Sequence, residues 1–365
     1  MQTQRIIELD YLRAFAILAV ISIHTLDYFR YIPEVNALVI SSLILYVFVR
    51  FAVPMFVFVS GFVLALKYGD RFSRKTYFVK RARAVIPPYM VFSAIYLILP
   101  DYLFNGQLKF PSVGEFLVNL FSGNSYGHLW FIPLILQFYV LYPATIGIYQ
   151  RFAEKRNPLL LLALSAFFQD IWIVMASLFN QYSYATINVI MDRAFVSHVF
   201  YFLFGIYICK NYADVRKKIL GLRGRHLLTL APVTLFMSSF WIYGLLRYGD
   251  YFKIPSYYVG IPHMLFPIYF TLIFVVLFRL GLILSKNNNL CSNFIFQLGR
   301  ESFGIYLIHA LFLHLTVKMI YPGLNIEYTQ WKFYPLLFLF TVLLSYTSVN
   351  LFNHLPFSEL FFGHK

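Results

Sequence analysis

Long apolar runs, broken by short polar stretches, fill the chain from Leu9 to Phe352. A membrane-crossing helix needs about 20 such residues. Read at that length, the runs predict ten helices, near Leu9–Phe29, Ala37–Leu66, Ala84–Phe104, His128–Tyr149, Pro158–Phe179, Ala194–Cys209, Leu227–Leu246, Tyr258–Leu284, Phe294–Tyr321 and Phe333–Phe352. The sixth is the shortest. The second is long and carries Pro54, which predicts a kink or a break. The longest polar interval, Asn105–Gly127, has 23 residues, and no soluble domain is visible. No internal repeat is visible either, which argues against an inverted-repeat transporter. The expected fold is all-α: a polytopic membrane protein whose residues 1–365 form a single domain of about ten transmembrane helices.

Composition agrees. Hydrophobic residues are 60% of the chain and charged residues 12%, half the usual charged share of a soluble domain. Mean hydropathy is +0.69. These values exclude a soluble enzyme, a disordered chain and a secreted disulfide scaffold, for which Cys209 and Cys291 are too few. No small-residue cleavage site follows the first apolar run, so it reads as a retained span. The net charge of +15 would suggest nucleic acid in a soluble protein. In a membrane protein a basic excess marks cytoplasmic loops, so the expected partner is the lipid bilayer and not nucleic acid. With the N-terminus inside, 20 of the 30 Lys and Arg residues fall in cytoplasmic segments, 7 outside, and Arg13, Arg50 and Arg300 within spans. That split predicts both termini in the cytoplasm, an even helix number and a multi-pass protein of the cell membrane.

Ionisable groups inside spans cost roughly 2.5–3.5 kcal/mol on insertion scales, so those present need a reason. Arg13 and His24 are 11 residues apart, which at about 100° per residue puts them on one face, roughly 16 Å apart along the axis. Asp10, three residues before Arg13, can pair with it. The bland reading is a snorkelling Arg and a hydrogen-bonded His. The functional reading is a polar stripe reached from both sides of the membrane. Arg50 needs a carboxylate or a ring of carbonyls, and Asp170 at similar depth is the economical partner. The basic run Lys80-Arg81-Ala82-Arg83 precedes a helix expected to start around Pro87-Pro88-Tyr89, and suits phosphate recognition as well as a topology signal. Tyr126 to Phe131, with His128 and Trp130, reads as an interfacial anchor or a sugar-stacking platform. Tyr306 and His309 share a helix face. No metal or nucleotide signature stands out, and Ser60-Gly61 lacks a nucleophile's setting.

Five segments together resemble acyltransferase family 3, the bacterial integral-membrane O-acyltransferases of surface polysaccharides and lipids. They are Leu9 to Ala14 (LDYLRA) with His24; Arg50 to Gly61 (RFAVPMFVFVSG); the basic run before Pro88-Tyr89; His128 to Pro143 (HLWFIPLILQFYVLYP); and Ser302 to His309 (SFGIYLIH). They occur in the family's order. The family's Arg and His of the first helix fall on Arg13 and His24. Its Arg-x-x-Arg motif matches imperfectly: one register gives Lys80 and Arg83, the other Arg81 with Ala84.

The resemblance implies acyl-CoA, usually acetyl-CoA, as co-substrate, with no tightly bound cofactor. It implies as acceptor a hydroxyl of a surface polysaccharide or its lipid-linked precursor. A hydroxyl needs a general base, a role suited to histidine, and His24 is the expected base, with Asp27 to orient it. Arg13 is expected to steady the donor, and Arg81 and Arg83, with Lys80, to hold CoA phosphates. His128, Trp130, Tyr306 and His309 are expected on the acceptor side, and Asp10, Arg50 and Asp170 as structural polar groups. The competing readings are a transporter or flippase for a lipid-linked sugar, and a partner-binding membrane subunit that tolerates loss of Arg13 and His24.

Overall fold

A backbone in hydrocarbon must satisfy its own N–H and C=O groups, which favours helices. The computed structural model describes residues 5–69, 72–155, 157–181, 190–191, 193–222, 229–255 and 262–363, and among these it contains helices and no strand. Nine of the helical segments among the described residues are long and apolar enough to cross a membrane. In chain order the helices are α1 (Ile7–Leu26), α2 (Ala37–Val49), α3 (Ala52–Tyr68), α4 (Arg74–Asn105), α5 (Val113–Ser122), α6 (Phe131–Lys155), α7 (Pro158–Gln181), α8 (Val199–Lys210), α9 (Tyr212–Gly221), α10 (Leu230–Tyr248), α11 (Phe266–Leu284), α12 (Leu290–Arg300), α13 (Ser302–Leu315), α14 (Phe333–Phe352) and α15 (Ser358–Phe362). A π-helical stretch, Thr316–Ile320, carries α13 on to Leu324.

The departures from expectation have local causes. The second predicted span is two helices, because Pro54 has no N–H for the Arg50 carbonyl and its ring crowds that carbonyl. The chain turns at Arg50 and Phe51 between α2 and α3. The third starts ten residues earlier than expected, at Arg74, where Ser73 accepts from the Thr76 N–H. The basic run therefore sits on the helix and not before it. The ninth divides at Glu301 into α12 and α13. The sixth, Phe195–Lys210, is apolar but shorter than the nine. The polar interval contains α5, opened by a capping box in which Ser112 Oγ accepts from Glu115 N and Glu115 Oε2 from Ser112 N at 3.2 and 2.8 Å. Residues 227–228 and 258–261 of two predicted spans, and Arg71, Arg156, Arg223, Arg225 and Lys365 of the basic count, lie outside the described residues.

Aromatic packing fills the core. Phe58, Phe62, Phe202, Phe270, Phe274 and Phe278 are fully buried, and Phe58 lies 4.7 Å from the Phe274 ring and 5.6 Å from Phe204. Short as it is, α8 makes the most extensive helix contact among the described residues, against α3. A Cβ on Gly61 would fall 2.2 Å from the Phe202 carbonyl oxygen, and one on Gly205 2.1 Å from that of Phe58. Backbone rests on backbone there, the small-residue mode of membrane helices. The outside is apolar too: Val140, Phe167, Phe168 and Leu235 are more than half exposed, a surface suited to lipid and not to water. Polar groups turn inward.

Candidate active site

Two ends of α1 carry its ionisable groups. At the first, Asp10 is 1% exposed and lies between Arg13 Nη1 at 3.0 Å and Arg5 Nε at 2.8 Å. The expected Asp10–Arg13 pair is present, with Arg5 as a second partner. Tyr11 ties this end to α12 through Ser292 Oγ at 2.6 Å. At the other end, α1 tightens into a 3₁₀ turn, Asp27–Tyr31. Side chains three apart eclipse in such a turn, which brings Arg30 Nη2 to 2.8 Å from Asp27 Oδ1. The other carboxylate oxygen faces His24 Nδ1 at 3.7 Å.

His24 lies on the wall of a cavity of about 1010 Å³, shared with Asp27, Arg30, Arg50, His128, Trp130, Arg193, His198, Trp241, Tyr251, His263 and Tyr306. Three histidines from distant sequence positions converge there. Ring centroids are 5.3 Å apart for His24 and His309, 4.7 Å for His128 and His309, and 6.3 Å for His24 and His128. His309 Nδ1 is 2.7 Å from the Tyr306 carbonyl. A carbonyl only accepts, so Nδ1 carries the proton. Nε2 of His309, and both ring nitrogens of His128, are buried without hydrogen-bond partners. Buried polar atoms call for a partner, whether water, ligand or reacting group. Tyr306 Oη donates to the His128 carbonyl at 2.5 Å and fixes the start of α6 to α13.

Not every expected residue meets this cavity. His128, Trp130 and Tyr306 line it, whereas His309, 0% exposed, stands behind His24 and His128. His309 can position those rings, but it does not face the cavity directly. Arg13 is off the wall, about three helical turns from His24. The expected Arg50–Asp170 pair does not form: no ion pair links them among the described residues, and Asp170 Oδ1 is buried without a partner. The Arg50 guanidinium lies instead over Tyr46, Trp241 and Phe266, at 5.8, 5.7 and 5.6 Å from the ring centroids.

The basic run lies by the other end of α3 from the cavity: Arg81 is beside Tyr68, whereas Val53 and Pro54 line the cavity. Arg81 and Arg83 are two residues apart on a helix and point to nearly opposite sides. Arg81 turns inward over Tyr68 and Tyr139, at 5.5 and 5.9 Å, with Nε buried and unpartnered. Lys80 and Arg83 are exposed. The run thus does not converge on one point. Sequence reasoning missed Arg30, Arg193, His198, Trp241, Tyr251 and His263. Their signal was a polar or amphipathic side chain at the edge of an apolar run, which anchors share.

Comparison with known proteins places the chain in a family. A family profile described as an acyltransferase domain matches residues 6–349. YfiQ of Bacillus subtilis (strain 168), a protein named for membrane-bound acyltransferase activity, is 25% identical over 279 residues, covering 72% of this chain and 68% of its own. An amino-acid racemase of Enterococcus faecalis is 30% identical over 127 residues, 34% of this chain and 16% of the racemase. No solved structure matches the chain.

Proposed function

The chain belongs to the acyltransferase-domain family and is a multi-pass membrane acyltransferase; from that premise we propose that it moves an acetyl group from cytoplasmic acetyl-CoA to a carbohydrate hydroxyl presented in the cavity from the other side of the cell membrane. The observation that carries this reading is His24 on the cavity wall, with Asp27 at Nδ1. With Nδ1 turned to the carboxylate, Nε2 takes the hydroxyl proton. The oxygen attacks the thioester carbonyl, the C–S bond breaks, and His24 returns the proton to the CoA thiolate. Arg13, on the same face, steadies the donor arm as it reaches along α1 from the basic end. The acceptor is a surface polysaccharide or its lipid-linked precursor, and the cavity's aromatic rings suit sugar faces.

The test is transfer of labelled acetyl from acetyl-CoA by protein in nanodiscs. His24→Ala is expected to lower the rate by about 10²–10⁴ while acetyl-CoA still binds. His24→Asn keeps some hydrogen bonding but takes no proton, so it should be nearly as inactive. Near-normal transfer by a folded His24→Asn protein would overturn the assignment and point to His128. Absence of transfer by wild type, with movement of a lipid-linked sugar across the membrane, would support a flippase instead.

A further inference from the structure

We propose that the acceptor carries an anionic group, a carboxylate or a phosphate, which Arg50 binds within the cavity. The inference rests on the reading of this cavity as the acceptor site. Two guanidiniums, Arg30 and Arg50, flank a single ring, Tyr46, at 4.8 and 5.8 Å. Asp27 is engaged by Arg30 and faces His24. That leaves Arg50 with no carboxylate and no side-chain hydrogen bond among the described residues. Its charge is held over the faces of Tyr46, Trp241 and Phe266, and it lines the cavity.

Ring faces attract a cation through their quadrupoles. They meet the guanidinium only through its flat face, and leave its five in-plane N–H donors unused. A structural arginine would turn those donors to carbonyls, as Arg279 does to Leu222. Here the donors face an open volume large enough for more than one sugar ring. The chemistry that completes such a site is a planar or tetrahedral oxyanion, bound by paired charge-assisted hydrogen bonds, with Trp241 beside it to stack a sugar. Fixing the anion at Arg50 would also set the register of the sugar against His24.

The test separates this proposal from the transferase reading because it measures binding. Cellobiouronic acid, cellobiose 1-phosphate and neutral cellobiose are titrated into wild-type protein in nanodiscs without acetyl-CoA, and tryptophan fluorescence is followed. The two anionic probes separate carboxylate from phosphate preference. At least one is expected to bind ten times or more tighter than cellobiose, with a preference that shrinks towards one in Arg50→Gln and is partly kept in Arg50→Lys. Thermal unfolding of each variant checks folding. Equal binding of charged and neutral probes, no binding of either anionic probe, or an unchanged preference in folded Arg50→Gln would overturn the proposal, whatever the transfer assay gives.

Discussion

At the scale of single residues, burial separates arginines that sequence treats alike. Lys80 and Arg83 face outward, whereas Arg81 is tucked over two tyrosine rings with Nε unpartnered. A long cation can snorkel for topology alone, but an inward guanidinium with a spare donor is placed to meet a ligand. Arg81→Ala is therefore expected to weaken acetyl-CoA binding by a lost charge-assisted contact, about 1.5–3 kcal/mol, or tenfold and more. Arg83→Ala is expected to change it little. Calorimetric titration of acetyl-CoA into each variant checks this, and equal losses would restore the paired role read from the motif. The sequence named Arg81 and Arg83 together because charge is visible in a string and facing is not.

At the scale of elements, the α3–α8 crossing makes a sharp contrast. Gly205→Ala puts a methyl group 2.1 Å from a backbone oxygen, and such overpacking costs about 1–3 kcal/mol or more. Gly147→Ala in α6 meets nothing within 4 Å and is expected to be neutral or to stabilise by up to about 1 kcal/mol. Thermal unfolding of both variants, followed by tryptophan fluorescence, should show a lower midpoint for the first only. Helices of this kind were legible wherever an apolar run approached 20 residues, and Pro54 announced the break at Arg50. The division at Glu301 was not legible, because Gln297 to Ser302 contains no proline and the apolar pattern resumes at once. Helix α5 was hidden because its ten residues, six of them apolar, are half the length of a span. In the site, His24, His128 and His309 each stood out as polar residues in apolar surroundings. Their meeting depends on how α1, α6 and α13 pack, which no local pattern encodes. The Arg50–Asp170 pairing failed for the same reason: equal depth does not mean adjacency.

At the scale of the whole molecule, the charge bias predicts which side each loop faces, and two native cysteines can report it. Cys291 is exposed and Cys209 partly buried, both near the end that carries the basic run. A membrane-impermeant maleimide is expected to leave both untouched in intact cells and to label Cys291 after permeabilisation, while Lys109→Cys and Lys253→Cys are labelled from outside. Reaction of Cys291 in intact cells would invert the orientation. The glycine crossing also has a meaning for the bundle as a whole. Arg50, Val53 and Pro54 around the head of α3 line the cavity together with His198 and Tyr201 around the head of α8, and beyond them the two helices are spaced at Gly61 and Gly205 by nothing bulkier than hydrogen. The crossing is thus a gauge for the width of the chamber above it. Selection for a bulkier or slimmer acceptor need not touch the wall at all: a methyl group gained at Gly61 or Gly205 would reset the opening, and altered substrate preference would map to positions that no substrate ever contacts.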